Sequence, residues 1–128
     1  MEFSPDGIIL ASAGYDEIIK LWNWKTGKEI KNLKGHTSFI LSICFFNDGK
    51  MLASGGPDKI IKLWNIRTGK VIRNLEEHTN RVNSICLPSN GKILVSGGND
   101  GYIIVWNVVT GKVIRKIKGG DEIRSVCF

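Results

Sequence analysis

Three features of the sequence imply an all-β fold made of repeated four-stranded antiparallel sheets. The chain superposes on itself when shifted by 42 residues. Apolar runs of five or six residues alternate with strong turn signals, the pattern of short strands. No window holds the 3.6-residue period of an amphipathic helix over helical length. The repetition is the most informative of the three, because a unit too small to bury its own apolar face must stack on its neighbours.

The shift aligns Gly7, Gly49 and Gly91; Leu10, Leu52 and Leu94; Ser12, Ser54 and Ser96; Asp16, Asp58 and Asp100; and Trp22, Trp64 and Trp106. Thr26-Gly27-Lys28 returns as Thr68-Gly69-Lys70 and as Thr110-Gly111-Lys112, with Ile30, Ile72 and Ile114 just beyond. After a one-residue deletion near Gly119, the series Ser42, Ser84, Ser125 and Cys44, Cys86, Cys127 continue the register. Phe3, Phe45, Leu87 and Phe128 mark the seams. One repeat region, 1–128, is expected, with units at about 1–33, 39–75 and 81–117 and an additional strand at 122–128. The first unit lacks most of its opening strand.

The middle unit shows the elements in order. Phe39 to Phe45 is a β-branched and aromatic run closed by the turn Asn47-Asp48-Gly49. Met51 to Gly55 follows and ends at Gly56-Pro57-Asp58, where glycine is expected to supply the unusual dihedrals and proline to fix its own. The third strand, Ile60 to Asn65, leads into Arg67-Thr68-Gly69, which suits a type I turn with a glycine bulge. Lys70 to Leu75 is the fourth.

The character of the four strands orders them in space. The first is the most continuously apolar, as in Ile40 to Phe46, so burial of both its faces is expected. The last mixes cations with apolar residues: Lys28, Lys31 and Lys34; Lys70 and Arg73; Lys112, Arg115, Lys116 and Lys118. Charge at that density suits an exposed edge, where it discourages pairing with other chains. A four-stranded antiparallel sheet running from a buried inner strand to a charged outer one is a propeller blade.

Composition narrows the class further. With 128 residues, 42% hydrophobic and 23% charged, the chain is neither a disordered tail nor collagen-like. No stretch approaches the apolar length of a membrane-spanning helix, and Met1 to Asp6 lacks the charged and apolar regions of a leader. Three cysteines are too few, and odd in number, for a disulfide-stapled scaffold, so a reducing, cytoplasmic setting is expected. The net charge of +6 fits either an acidic partner or solvated lysines on exposed strands.

At these residues the sequence resembles the WD-repeat β-propeller family over its whole length. The family pattern is a Gly-His pair, a glycine-rich turn carrying Asp, and a Trp-Asp pair. Gly35-His36 leads to Asp58 and Trp64, and Glu77-His78 leads to Asp100 and Trp106. Phe3-Ser4-Pro5-Asp6-Gly7 is similar to the family's turn after the inner strand. Asparagine replaces the aspartate of Trp-Asp at Asn23, Asn65 and Asn107, and the third junction, Gly119-Gly120, has no histidine.

The resemblance implies two buried hydrogen-bond sets, His36, Ser54, Asp58, Trp64 and His78, Ser96, Asp100, Trp106. An indole only donates, a carboxylate only accepts, and a hydroxyl and a neutral imidazole do both, so the four can satisfy one another. Ser12, Asp16 and Trp22 form a set without its histidine.

The same residues bear on other chemistries. Ser, His and Asp together suggest a hydrolase, but the trio recurs at repeat spacing, each time with a tryptophan, and its serine lies mid-strand. No catalytic residue is assigned. Cys44, Cys86 and Cys127 stand about one repeat apart, not at the spacing of zinc ligand pairs, and read as small buried hydrophobes. No metal or cofactor is expected. Binding of nucleic acid or an acidic surface through the basic outer strands is a weaker reading, because those cations lack interleaved aromatics.

The resemblance implies a non-catalytic interaction module for a protein or peptide partner. The implied contact residues are Phe39, Arg81 and Glu122 at the start of inner strands, and Tyr15, Pro57 and Asn99 before the turn aspartates. A second expectation is self-assembly, with the C-terminal strand of one copy completing the first blade of another in a six-bladed homodimer. The competing expectation is that the chain is a fragment whose missing blades belong to a longer propeller.

Overall fold

The computed structural model describes all 128 residues. Its three antiparallel sheets each run in sequence order from inner to outer strand. The first blade contains β1 (Glu2–Phe3), β2 (Ile9–Ala13), β3 (Ile18–Asn23) and β4 (Lys28–Lys34). The second contains β5 (Ser42–Phe45), β6 (Met51–Gly55), β7 (Ile61–Asn65) and β8 (Val71–Leu75). The third contains β9 (Val82–Cys86), β10 (Ile93–Gly98), β11 (Tyr102–Asn107) and β12 (Val113–Lys118).

The turn between third and fourth strands is the same in every blade. Gly27, Gly69 and Gly111 adopt φ of 71°, 73° and 73°, which costs glycine least. Their amides donate to the carbonyls of Asn23, Asn65 and Asn107 at 2.9, 2.8 and 2.8 Å. Each sheet shifts register just before its tryptophan, at Leu21/Trp22, Leu63/Trp64 and Val105/Trp106, the expected bulge. The asparagine Oδ1 also accepts the amide of Thr26, Thr68 or Thr110, at 3.3, 3.1 and 3.0 Å. An amide oxygen does what a carboxylate would do here, which accounts for Trp-Asn in place of Trp-Asp.

Apolar side chains fill the two junctions between blades. Ala11, Ile19, Leu21 and Leu33 of the first blade share one cluster with Phe45, Leu52, Trp64 and Ile66 of the second. Ala53, Ile61, Leu63 and Leu75 on the other face of the second blade share another with Val82, Leu94, Trp106 and Val108 of the third. Stacking of this kind gives each repeat the core it cannot build alone. Trp64 and Trp106 are fully buried in it.

Five expectations are corrected. The first strand of the middle blade spans Ser42–Phe45 and not Phe39–Phe45. Inner strands are also not the most buried: in the middle blade β5 is largely half-buried and Leu41, just before it, is exposed, whereas β6 and β7 are mostly buried. The reason is that an inner strand is an edge strand, while the second and third are flanked on both sides. Residues 122–128 form no strand, because nothing pairs with their in-sheet edge. The segment nevertheless lies along the third blade, with the Ile123 amide on the Gly98 carbonyl at 2.8 Å and the Val126 amide on Ser84 Oγ at 3.2 Å.

The fourth correction concerns the turn before β7. The left-handed residue there is Lys59 (φ 71°), matched by Glu17 (φ 67°) and Gly101 (φ 79°), and not Gly56. Gly56 is required for a different reason: a Cβ there would lie 2.3 Å from the carbonyl oxygen of Phe39. Among the cysteines, Cys44 and Cys86 are half-buried as small hydrophobes can be, but Cys127 is exposed.

Candidate functional site

Two hydrogen-bonded sets tie the loop end of the second and third blades together. His36 Nδ1 lies 2.6 Å from Asp58 Oδ2, His36 Nε2 lies 2.6 Å from Ser54 Oγ, and Trp64 Nε1 donates to that same Oγ at 2.7 Å. In the third blade the matching distances are 2.7 Å to Asp100, 2.7 Å to Ser96 and 2.8 Å from Trp106. The carboxylate can only accept, so Nδ1 carries the proton and Nε2 accepts from the serine. Indole, hydroxyl, imidazole and carboxylate thus form one directed chain, and no buried side-chain polar atom lacks a partner.

Electrostatics agree with that direction. Burial lowers the His36 pKa, assisted by nearby Lys62, and this outweighs the opposing pull of Asp58, so the imidazole is held neutral. At Asp100 burial acts to raise the pKa, but the Tyr102 amide, His78 and the Thr79 amide outweigh it and hold the carboxyl below its usual range. Sequence reasoning missed those amides. Thr79 donates to Asp100 Oδ2 at 3.0 Å and Thr37 to Asp58 Oδ2 at 3.3 Å. The available signal was the threonine that follows each histidine.

The first blade has only part of this arrangement. Trp22 Nε1 donates to Ser12 Oγ at 2.9 Å, whereas Asp16 turns to Lys20 Nζ at 3.7 Å. Ser54 and Ser96 are wholly buried mid-strand, so no substrate reaches their hydroxyls. The sets fasten strands and do not offer a nucleophile.

The six residues assigned to partner contact lie along one end of the sheets. Consecutive blades meet there through one repeated bond, from the Ile40 amide to the Gly14 carbonyl (3.2 Å) and from Val82 to Gly56 (3.0 Å), and the C-terminal segment repeats it from Ile123 to Gly98 of the third blade (2.8 Å). Tyr15 and Phe39 are brought together, with ring centroids 5.1 Å apart and planes tilted by 50°. Tyr15 is 88% exposed and Phe39 half-buried. They border a shallow groove of about 210 Å³ lined also by Ala13, Gly14, Ile40 and Leu41. Pro57 is half-buried, and Arg81 is exposed. Asn99 is partly engaged, its Oδ1 accepting from Asn83 Nδ2 at 2.6 Å, and Glu122 pairs with Arg124 at 2.8 Å.

Stacked four-stranded blades, bulged before each tryptophan and fastened by His-Asp-Ser-Trp sets, define a repeat protein of the propeller class. The family model described as "WD domain, G-beta repeat" matches residues 1–23, 27–65 and 69–107. The chain belongs to this WD40 family. It is 59% identical over 32 residues to Ribosome assembly protein 4 of Chaetomium thermophilum, covering 25% of the chain and 6% of that protein. It is 42% identical over 43 residues to the DENN domain and WD repeat-containing protein SCD1 of Arabidopsis thaliana, covering 34% and 4%. With Nuclear distribution protein PAC1 of Coprinopsis cinerea it shares 41% identity over 39 residues, covering 30% and 9%. Matched segments therefore span under a tenth of those relatives. Among solved structures, that of U3-55K superposes with a TM-score of 0.93 at 25% identity, over 98% of this chain and 41% of the other.

Proposed function

We propose that the chain is a non-catalytic interaction module whose loop end receives a protein or peptide partner. The observation that carries this reading is the Tyr15–Phe39 pair, in which an exposed tyrosine rests on a half-buried phenylalanine beside an apolar groove. Large aromatics at low entropic cost are the usual anchors of protein interfaces. Arg81 and Pro57 extend the surface to the second junction, and Asn99 and Glu122 to the loop end of the third blade. The rigid blades beneath fix these loops, so little ordering entropy opposes binding. Relatives named for ribosome assembly and nuclear distribution support an interaction role over catalysis. No helix is long and apolar enough to cross a membrane.

Basic outer strands favour this reading over nucleic-acid binding, since several of their cations are engaged within the protein. Lys31 and Arg73 bond carbonyls of the next blade, Lys116 pairs with Glu77 at 3.3 Å, and Lys118 bonds the Asp100 carbonyl at 2.9 Å.

The test is affinity capture with the chain, followed by titration of each recovered protein against Tyr15→Ala and Phe39→Ala. Weakening by about tenfold or more for at least one partner is expected. Unchanged affinity for every partner overturns the assignment of this face.

A further inference from the structure

Charge is divided unevenly between the two ends of the blades. The turn end consists of three turns joining first to second strands, at 4–8, 46–50 and 88–92, and three joining third to fourth strands, at 24–28, 66–70 and 108–112. These six turns carry seven cations and two carboxylates, a balance of +5 against +6 for the whole chain. The loop end, at 14–17, 34–41, 56–59, 76–81, 98–101 and 118–122, carries eight carboxylates and four cations, a balance of −4.

Hydrogen bonds join the turns into one continuous surface. Within a blade, the Ile66 amide donates to the Lys50 carbonyl and the Val108 amide to the Lys92 carbonyl, both at 3.0 Å. Between blades, Asn47 Nδ2 donates to the Ser89 carbonyl at 2.7 Å, Lys31 reaches the Arg67 carbonyl, and Arg73 reaches the Thr110 carbonyl.

The seven cations take no part in these bonds. Lys25 and Lys28 of the first blade, Lys50, Arg67 and Lys70 of the second, and Lys92 and Lys112 of the third are all exposed. Their charged groups make no hydrogen bond or ion pair, and only Lys25 Nζ meets a neighbour, 5.8 Å from the centroid of the Trp24 ring. The two carboxylates are committed to their own turns. Asp6 Oδ1 accepts from Ser4 Oγ at 2.6 Å and from the Ile8 amide at 3.0 Å, and Asp48 Oδ1 accepts from the Lys50 amide at 2.9 Å. In the middle blade, Lys50 and Arg67 border an open cleft of about 400 Å³ lined also by Gly49, Asn65 and Ile66.

Unpaired cations gathered on one fixed end fit a polyanionic partner, and three observations select among polyanions. The cations stand on turn tips of all three blades and not along one groove, which suits a planar array of charge better than a single extended chain. Two tip positions carry apolar side chains instead: Ile8, 54% exposed, at the position of Lys50 and Lys92, and Val109, 73% exposed, at the position of Lys25 and Arg67. Both positions are exposed in every blade. An apolar side chain among cations finds a place in a headgroup layer and none against a phosphodiester backbone. No helix is present to enter a nucleic-acid groove. The aromatic at this end, Trp24, is already engaged, its indole N–H on the Gly7 carbonyl and its ring edge-on to Phe3 at 6.2 Å, so it offers no free platform for base stacking.

We propose that the turn end docks on the anionic headgroups of a phospholipid bilayer, with its seven cations against the phosphates and Ile8 and Val109 within the headgroup layer. Each basic residue held at such a surface strengthens binding by roughly fivefold. The loop end, with its negative balance, then faces away from the bilayer. This inference rests on the turn end and stands whether or not the loop end receives a partner.

Co-sedimentation with vesicles tests it. At about 0.1 M salt the chain should bind vesicles of phosphatidylcholine with phosphatidylserine at least about tenfold more strongly than phosphatidylcholine alone, and about 0.5 M salt should remove the difference. Lys50→Glu with Arg67→Glu should weaken binding by about tenfold or more. Lys34→Glu with Lys59→Glu, an equal change of net charge at the loop end, should leave binding within about twofold, because those charges lie beyond the screening length from the bilayer. Both pairs should keep native tryptophan fluorescence, since none of the four side chains has a partner in the fold. Val109→Trp should strengthen binding several-fold, as indole favours the headgroup layer. The proposal is overturned by any of four results: no preference for anionic vesicles, equal losses from the two pairs, no gain from Val109→Trp, or tighter binding to poly(U) RNA or polyglutamate than to anionic vesicles at the same salt.

Discussion

Trp64 Nε1 and His36 Nε2 meet at a single atom, Ser54 Oγ, at 2.7 and 2.6 Å, and the serine is completely buried. One hydroxyl therefore satisfies a donor from β7 and an acceptor from the loop after β4. Fastening of the loop end depends on it.

Ser54→Ala strands the indole N–H and removes the proton that His36 accepts. It should lower unfolding free energy by about 1 to 3 kcal/mol, measured by denaturant titration. Ser12→Ala should cost less, because Ser12 is half-buried and serves only Trp22. Equal losses at the two sites would show that the histidine adds nothing.

Acid should weaken the fold in two steps. His36 has its pKa lowered below 6.5 by burial, so the unfolded chain binds the extra proton first. Stability from this group is complete above pH 6.5 and falls as pH drops toward the folded value. Asp100 is held below 3.8, so its contribution is complete above that pH and is lost as pH falls through the folded value. Unfolding free energy followed against pH should decline below 6.5 and again below 3.8; a flat profile across the first window would contradict the neutral imidazole.

Lys59→Gly should raise stability by up to about 1 kcal/mol, since φ of 71° strains a side chain and not glycine. Gly101→Ala should do the reverse and by more, because its Cβ would lie 2.1 Å from the Gly120 carbonyl oxygen. Thermal unfolding of both variants checks the pair.

Arg73→Ala should cost about 1 to 3 kcal/mol by denaturant titration, through loss of two carbonyl bonds and of the packing beneath Gly111. Arg115→Ala should be close to neutral by the same measurement, because the exposed Arg115 side chain bonds no carbonyl of this chain.

How much could be read beforehand follows from what sets each feature. Strand number, strand order and the bulged Thr-Gly turn were legible, because local spacing and turn chemistry determine them. So were the members of the His36 and His78 sets, through their family resemblance. Burial of the inner strand was misjudged, since an apolar run such as Ile40 to Phe46 does not reveal that its strand lies at a sheet edge. The state of 122–128 was illegible for the same reason: its composition suits a strand, but pairing needs a partner edge. The aromatic contact of Tyr15 with Phe39 and the reach of Lys31 and Arg73 depend on blade stacking, which brings together residues about 24 and 36 apart in the chain.

Hydrogen exchange of the chain with and without a captured partner tests the loop face most directly. Protection should appear at 14–17, 37–41, 56–59 and 79–81, and leave the outer strands β4, β8 and β12 unchanged. Protection confined to the outer strands would place the partner on the basic rim and overturn the account.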